Sequence, residues 1–269
     1  MRASPAPDVP DTRAVALDEL RRRIEAARGG ARRRLLAALG ADARVGAQRL
    51  AERTQCQARE RAAEARRIAR LLARRRALFA AGARVVAGVD EVGMGPLAGP
   101  VVAAAVVLPA RIDLPGLDDS KRLSPAARER LSEAIRAQAV AWAVAEVGAH
   151  EIDALDILRA SQAAMRRALG ALAVAPDHVL VDGRPVPALG FPQTAIVGGD
   201  ASDASIAAAS IVAKVYRDAR MQEFDRAHPG WGFAVHKGYP TPAHLAALRR
   251  LGPSPIHRRS FAPVATASR

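Results

Sequence analysis

The spacing of apolar residues differs between the first 80 residues and the rest of the chain. In the first part, leucine and isoleucine recur at intervals near three and four with alanine between them, which is the period of a helix. Gly29-Gly30 and Gly40 interrupt this pattern. The spacing predicts two or three helices, the last of which ends near Gly82.

The second part begins with short apolar runs that are bounded by glycine, proline or acidic residues, as strands are. Three adjacent strands, followed by an alternation of strands and helices, indicate an α/β domain with a mixed sheet. The predicted strands are residues 84–90, 100–108, 141–148, 178–182 and 193–197, and the predicted helices are residues 150–170, 203–227 and 241–251.

Length and cysteine content narrow the class of protein. A chain of 269 residues is long enough for one large domain, or for one domain with an appendage. The single cysteine, Cys56, excludes an internal disulfide and a cysteine-rich zinc site, and it favours the reducing cytoplasm. The longest uncharged run, residues 92–110, contains three prolines, so we expect a buried loop and strand there and no membrane partner.

Positive charge is concentrated at the start of the chain. Residues 1–80 hold 20 arginines and 9 acidic residues, whereas residues 81–269 hold 21 basic and 18 acidic residues, so +11 of the net charge of +14 lies in the first part. A basic arm beside a balanced domain suggests a polyanion partner, most simply nucleic acid. A solvated helical face in an arginine-rich chain is an equally good interpretation.

Acidic residues lie at or just after the carboxyl ends of three predicted strands. These residues are Asp90 with Glu91, Asp182 and Asp200. Sites in open α/β sheets gather at this edge, and four converging carboxylates repel one another unless cations neutralise them. Oxygen ligands favour Mg²⁺ or Mn²⁺, and two such ions could hydrolyse a phosphodiester. Singly, each aspartate could instead be a turn or cap residue, as Asp200 or Asp203 could be for the helix that follows.

Seven motifs give the chain a family resemblance. In order, they read GVDEVGMGPLAGPVVAAAVVL, DDSKRLS, HEIDALDIL, VDG, GGDASDASIAAASIVAKVYRD, HKGYPT and HRRSF. Through them, residues 84 to about 264 resemble bacterial ribonuclease HII, of the type 2 RNase H family. The resemblance implies an RNase H-like mixed β-sheet flanked by helices, residues 83–269, behind a basic helical N-terminal extension, residues 1–82. The second of these regions would end in a C-terminal helical segment.

The same resemblance implies an endonuclease of DNA replication and repair. It would cut the RNA strand of RNA/DNA hybrids, including a single ribonucleotide in duplex DNA, and leave a 3′-hydroxyl and a 5′-phosphate. A monomer with two Mn²⁺ or Mg²⁺ ions is expected. The four acidic residues match the metal-binding carboxylates of the family. The residues that match substrate-binding positions are Gly93, Met94, Gly95, Ser120, Lys121, Lys214 and Tyr239.

Three departures from the family pattern surround the expected site. The family's Gly-Arg-Gly is Gly93-Met94-Gly95 here, its Lys-Gly-Asp is Gly198-Gly199-Asp200, and its Asp-Gly-Asn is Asp182-Gly183-Arg184. Met94 and Gly198 each remove a positive charge near the scissile phosphate, and we hypothesise that Arg184 or the basic arm partly compensates. Two alternatives stay open: a nucleic-acid-binding protein with an impaired site, and a ribonuclease HIII-like preference for longer RNA tracts.

Overall fold

The computed structural model describes residues 11–267, so the first ten residues of the predicted extension lie outside the described part. The chain divides into two compact units after Arg67. The sequence placed the boundary after residue 82, so residues 68–82 group with the second unit.

The first unit contains α1 (Leu17–Ala26), α2 (Gly29–Gly40) and most of α3 (Val45–Leu71). Their apolar faces meet in a small core of five leucine and isoleucine side chains and two alanines. Hydrogen bonds of Arg44 join the connection between α2 and α3 to the segment before α1. The Arg44 guanidinium donates to Asp42 at 2.9 Å and to the carbonyl of Val15 at 2.8 Å. These bonds from Arg44 hold the pKa of Asp42 well below its usual range.

A fourth helix, α4 (Ala73–Ala80), precedes the sheet, so the prediction of two or three helices was wrong. The helical period continues without a break in the sequence, but the backbone bends at Leu72. Leu71 and Leu72 pack against the central strands, and Leu78 packs beside the first strand. Burial of these side chains is the reason why the end of α3 and the whole of α4 belong to the second unit.

Five strands form one mixed sheet, as predicted, and each lies within two residues of its predicted ends. The sheet order is β3-β2-β1-β4-β5. β1 pairs antiparallel with β2 and parallel with β4, while β2–β3 is antiparallel and β4–β5 is parallel. The strands are β1 (Val86–Val92), β2 (Val101–Val107), β3 (Ala141–Val147), β4 (His178–Asp182) and β5 (Gln193–Ile196).

Helices cover both faces of the sheet. α7 packs with one core cluster, and α5 and α9 pack with the other. A Cβ atom at Gly88 of β1 would lie 2.2 Å from the carbonyl carbon of Ser205, so α9 approaches the central strand backbone to backbone. The helices of this unit after α4 are α5 (Pro125–Gln138), α6 (Ala149–Leu155), α7 (Ile157–Gly170), α8 (Gly199–Ser202), α9 (Ala204–Ala227), α10 (Phe233–His236), α11 (Pro242–Leu251) and α12 (Ala262–Ala267).

Two helical regions differ from the prediction. The single helix expected at residues 150–170 is two helices, because Asp156 adopts φ 75° and its side chain caps α7 through the Arg159 amide. The sequence analysis missed α5, although Ser124-Pro125 is a helix-start signal and Ser124 accepts from the Ala127 amide.

In residues 11–267, no helix is long and apolar enough to span a membrane.

Candidate active site

The sheet brings the four predicted carboxylates to one edge. β1 and β4 are parallel neighbours, and Val89 pairs with Val181, so Asp90 and Asp182 follow side by side. Glu91 is the next residue of β1. Asp200 lies in α8, in the connection that follows β5. Residues more than 90 positions apart in the chain therefore share the carboxyl edge of the central strands.

Burial and mutual repulsion dominate the electrostatics of these acids. Asp90 is 4% exposed and Asp200 is 5% exposed. Burial, followed by the charges of Glu91 and Asp182, raises the pKa of Asp90 well above its usual range. Burial and the charge of Asp182 raise the pKa of Glu91 to about 7. Burial and the Asp200 charge raise the pKa of Asp182. Such a group gains stability from a cation.

Hydrogen bonds fix the direction of two of the carboxylates. The amide of Gly199 donates to Asp182 Oδ1 at 2.7 Å. A Cβ at Gly199 would lie 2.5 Å from Ile206 Cδ1 and 3.2 Å from Asp182 Oδ1, so a larger residue at this bend would displace these side chains. Asp90 Oδ1 accepts from the Glu91 amide at 2.7 Å. The α8 bend therefore helps to orient Asp182 as well as carrying Asp200.

A lysine ammonium supplies the cation that the carboxylates face in this structure. Lys121 Nζ donates to Asp200 Oδ2 at 2.8 Å, and this bond raises the pKa of Lys121. Among residues 11–267, no three acidic, histidine or cysteine side chains are gathered closely enough to form a ready metal cluster. The donors are all carboxylate oxygens, a set that suits hard divalent ions, and a metal ion would compete with Lys121 for Asp200.

A cavity of about 280 Å³ opens beside the acids. Glu91 and Asp182 line it on the acidic side, and Met94 and Arg184 also line it. Met94, which replaces the arginine expected from the family resemblance, and Arg184 therefore line the same cavity. The hypothesis that Arg184 compensates for Met94 thus has a structural basis.

The glycine loop that follows β1 lies next to Tyr239. Gly93 adopts φ 96°, which is strained for other residues, and it is buried, whereas Gly95 is exposed. A Cβ at Gly95 would lie 3.8 Å from Tyr239 Cε1. Tyr239 is 40% exposed, so part of its side chain is accessible beside the loop. This places two of the predicted substrate elements together.

The remaining predicted residues are spread over two places. Ser120 is buried and its hydroxyl lies 2.9 Å from that of Ser210, a residue that also bonds to Asp90. Lys214 is not at the acids: it forms an ion pair with Asp218 at 2.6 Å. The chain contains one further lysine, Lys237, and its ammonium donates to the Asp218 carbonyl. Lys214 and Lys237 therefore both contact Asp218, and Lys121 contacts the site carboxylate Asp200.

Comparison with known proteins decides the family. The sequence model of the family described as Ribonuclease HII matches residues 87–264. The chain belongs to the ribonuclease HII family. Its curated relatives include Ribonuclease HII of Myxococcus xanthus, which is 54% identical over 86% of this chain and 79% of the relative. Ribonuclease HII of Moorella thermoacetica is 55% identical over 76% of this chain and 98% of the relative.

Solved structures confirm the RNase H-like fold. The ribonuclease H2 of Pyrococcus horikoshii superposes with a TM-score of 0.60 at 28% identity, over 69% of this chain and 97% of that one. RNase HII of Archaeoglobus fulgidus, solved in complex with PCNA, gives 0.55 at 28% identity, over 65% and 92% of the two chains. Bst-RNase HIII in complex with Mn²⁺ gives 0.52 at 22% identity over 68% of each chain, which supports the fold alone. The predicted fold class and the expectation of a ribonuclease are confirmed.

Two buried arginines, which the sequence analysis did not assign to the site, hold the ribonuclease HII glycine loop. Arg258 donates to the carbonyl oxygens of Gly93 at 2.6 Å and Met94 at 3.0 Å, and to that of Gly99 at 3.0 Å. The side chain of Arg258 is fully buried and does not reach the protein surface. Burial lowers its pKa to about 9, and the backbone carbonyls take up its donors.

The second arginine, Arg217 of α9, connects the glycine loop with the tyrosine loop. It donates to Pro100 O at 2.9 Å and to Lys237 O at 3.0 Å, and its guanidinium lies 6.0 Å from the ring centre of Tyr239. The Leu97 amide also donates to Gly238 O at 2.8 Å. These bonds fix the two loops relative to each other.

Three buried histidines support the tyrosine loop from behind. His236, His244 and His257 are all buried, and their rings lie against one another. The amide of Gly238 donates to His236 Nδ1, and the amide of Ser254 donates to His257 Nδ1. His244 Nδ1 lies 2.9 Å from the carbonyl of Tyr239, so it carries the proton there.

The hydrogen-bond pattern requires His244 and His257 to be neutral. His244 Nε2 lies 3.1 Å from His257 Nε2, and only one of these two nitrogens can carry a proton. Since His244 is protonated at Nδ1 and His257 accepts at Nδ1, His257 is the donor of this bond. A second proton on either of these rings would set two donors against each other. Burial accordingly lowers the pKa of His257 to about 4 and that of His244 as well.

Proposed function

We propose that this ribonuclease cuts the RNA strand of RNA/DNA hybrids, including a single ribonucleotide embedded in duplex DNA. The observation that supports the proposal is that the four acids share one edge of the sheet, with the glycine loop and Tyr239 beside them. The products would be a 3′-hydroxyl and a 5′-phosphate. We also propose that the enzyme works as a cytoplasmic monomer in DNA replication and repair.

Asp90, Glu91, Asp182 and Asp200 would hold two divalent ions, Mg²⁺ or Mn²⁺. The bound ions would activate water for in-line attack and stabilise the departing 3′-oxygen. The raised pKa values of Asp90, Glu91 and Asp182 support this role, since carboxylates that repel one another gain most from a cation. Lys121 would leave Asp200 when a metal ion binds and become available to a phosphate.

The glycine loop and Tyr239 would recognise the ribonucleotide. Backbone groups at Gly93 and Gly95 can approach a 2′-hydroxyl closely, because glycine has no side chain to obstruct it. The accessible part of the Tyr239 side chain would pack against the sugar at the RNA–DNA junction. Arg217 and Arg258 would keep both loops in register without touching the substrate.

Cleavage of a labelled DNA duplex with one ribonucleotide tests the proposal. The full chain should cut 5′ to the ribonucleotide with Mg²⁺ or Mn²⁺ and not with EDTA, and Asp90→Asn should not cut. Binding without cutting in either metal would instead establish the impaired-site alternative that Met94 suggests. Cutting only of long hybrids would show that junction recognition is lost.

Metal binding can be measured separately from cleavage. A ligand that binds only the folded state raises the melting temperature, so Mn²⁺ or Mg²⁺ should stabilise the wild-type chain. Asp90→Asn should lose most of this shift, whereas Glu223→Gln, which removes an acid of α9 outside the site, should retain it. An equal shift in both variants would contradict metal binding at the four acids.

A further inference from the structure

The first unit contains a groove of about 370 Å³ among its three helices. Four arginines and two uncharged polar residues form most of its wall: Arg21, Arg32, Arg53, Arg61, Thr54 and Gln57. Glu25 is the one acid among the lining residues, so the groove side chains carry a net charge of +3. Like charges that converge in this way favour an anion between them.

Helix geometry explains why these arginines face one another. Arg53, Thr54, Gln57 and Arg61 recur on α3 at intervals of three and four, so they occupy one side of the helix. Arg32 lies in the first turn of α2, which contains no acidic residue and no side-chain cap. The positive end of the α2 dipole adds to the potential of the groove.

Among the described residues, three of the four groove arginines have no side-chain partner, whereas the fourth, Arg21, pairs with Asp18 at 3.7 Å. Arg44 is saturated by Asp42 and two carbonyls, and Arg23 pairs with Glu19 at 3.1 Å. Within residues 11–267, the structure gives no side-chain hydrogen bond or ion pair to Arg32, Arg53 or Arg61. Their donors are therefore available to a ligand.

We propose that this groove binds the phosphodiester backbone of nucleic acid, as a second contact besides the active site. A guanidinium fork matches two phosphate oxygens, and the Gln57 amide offers another donor. Residues 1–67 contain no phenylalanine, tryptophan, tyrosine or histidine that could stack on a base. The groove therefore reads charge alone and binds DNA and RNA/DNA duplexes equally. The inference rests on the proposed function for its choice of ligand.

Two triple variants with the same loss of charge test the groove. The groove variant carries Arg32→Gln, Arg53→Gln and Arg61→Gln. The control variant carries Arg34→Gln, Arg59→Gln and Arg66→Gln, which lie on other sides of the same two helices and are exposed. Both are made in the full chain with Asp90→Asn, so that substrate survives. Binding to a labelled all-DNA duplex, and to the same duplex with one ribonucleotide, is measured by fluorescence anisotropy over a range of salt.

The groove variant should bind both duplexes at least about tenfold more weakly at low salt. The slope of log affinity against log salt concentration should become smaller in magnitude by about 2 to 3, since each phosphate contact contributes about 0.9 to that slope. The control should lose less than about 1. Equal effects of the two triple variants would mean that binding depends on the net charge of the unit and not on the groove, and this would overturn the proposal. An unchanged slope in the groove variant would overturn it as well.

Two further measurements keep the result interpretable. Circular dichroism and the melting temperature establish that the variants fold, and Arg61→Gln alone should still lower the slope by about 1. With Asp90 intact, single-turnover cleavage at saturating enzyme should be the same in both triplets. Failure of cleavage in all chains would refute the proposed function while leaving the DNA-binding result valid, and an effect confined to the ribonucleotide duplex would refute the groove.

Discussion

At the scale of single residues, the positive charge that is absent at Met94 is present nearby at Arg184. Met94 stands where the family resemblance predicts an arginine, and Arg184, which follows the carboxyl end of β4, lines the same cavity. Arg184 is exposed and has no hydrogen bond to the rest of residues 11–267. A phosphate that enters the cavity would meet one guanidinium, delivered by a different loop.

Substitutions at Met94 and Arg184, made singly and together, test whether the two positions compensate for each other. Arg184→Asn should lower cleavage efficiency by about 10- to 100-fold, the effect of a lost charge-assisted hydrogen bond. Met94→Arg should restore most of that loss in the Arg184→Asn chain and add little to the wild type. Single-turnover rates and affinities for the ribonucleotide duplex measure both effects.

Arg111→Gln is the matched control, because Arg111 is exposed and lies outside the cavity. Additive effects of the two substitutions would mean that Met94 and Arg184 act independently, and the compensation hypothesis would then be wrong.

At the scale of elements, the tyrosine loop depends on the three buried histidines. Burial holds His257 neutral by lowering its pKa from 6.5 to about 4. Between these values the unfolded chain binds a proton that the folded chain does not. The histidine therefore contributes its full stability above pH 6.5, and the contribution declines as the pH falls towards 4.

His257→Gln should expose this dependence. The loss of unfolding free energy that the substitution causes should be about 2 kcal/mol smaller at pH 5 than at pH 7.5, since wild type has already lost that amount. Urea unfolding at the two pH values measures it, and the raised pKa values of the acids cancel in the difference. His150→Gln, at an exposed position, should show no such change. A pH-independent loss would contradict the neutral network.

Elements were predictable from sequence where local pattern and burial agree. Apolar runs bounded by glycine, proline or acidic residues predicted all five strands, and the three runs followed by acid predicted that Asp90, Asp182 and Asp200 share one edge of the sheet. Arg217 and Arg258 escaped, because a fully buried arginine runs against the ordinary preference of charge for water. The break at Asp156 escaped too, since a capped positive-φ residue leaves the apolar period of the flanking helices unchanged.

At the scale of the whole molecule, the position of the domain boundary has consequences for truncation. The compact units divide after Arg67, and α4 is built into the second unit. Arg75 is fully buried there and donates to the carbonyl of Leu108 at 2.6 Å. We therefore expect that the basic first unit can be removed without unfolding the second unit, whereas α4 cannot.

Two truncated chains test this boundary. A chain that begins at Ile68 should fold and retain cleavage. A chain that begins at Ala83 should lose several kcal/mol of unfolding free energy, since burial of each leucine contributes about 1.5 to 3 kcal/mol. Thermal melting and cleavage of the ribonucleotide duplex compare the two. Equal stability would support the boundary at residue 82 that the sequence suggested.

The hold of Arg258 on the glycine loop also bears on how this corner of the enzyme folds. Arg258 donates to the carbonyl of Gly93, a residue 165 positions earlier in the chain. Contacts between residues so far apart in sequence form late and slowly, because a long loop must close before they can be made. The glycine loop therefore reaches its final form only when the segment around Arg258 has packed against it.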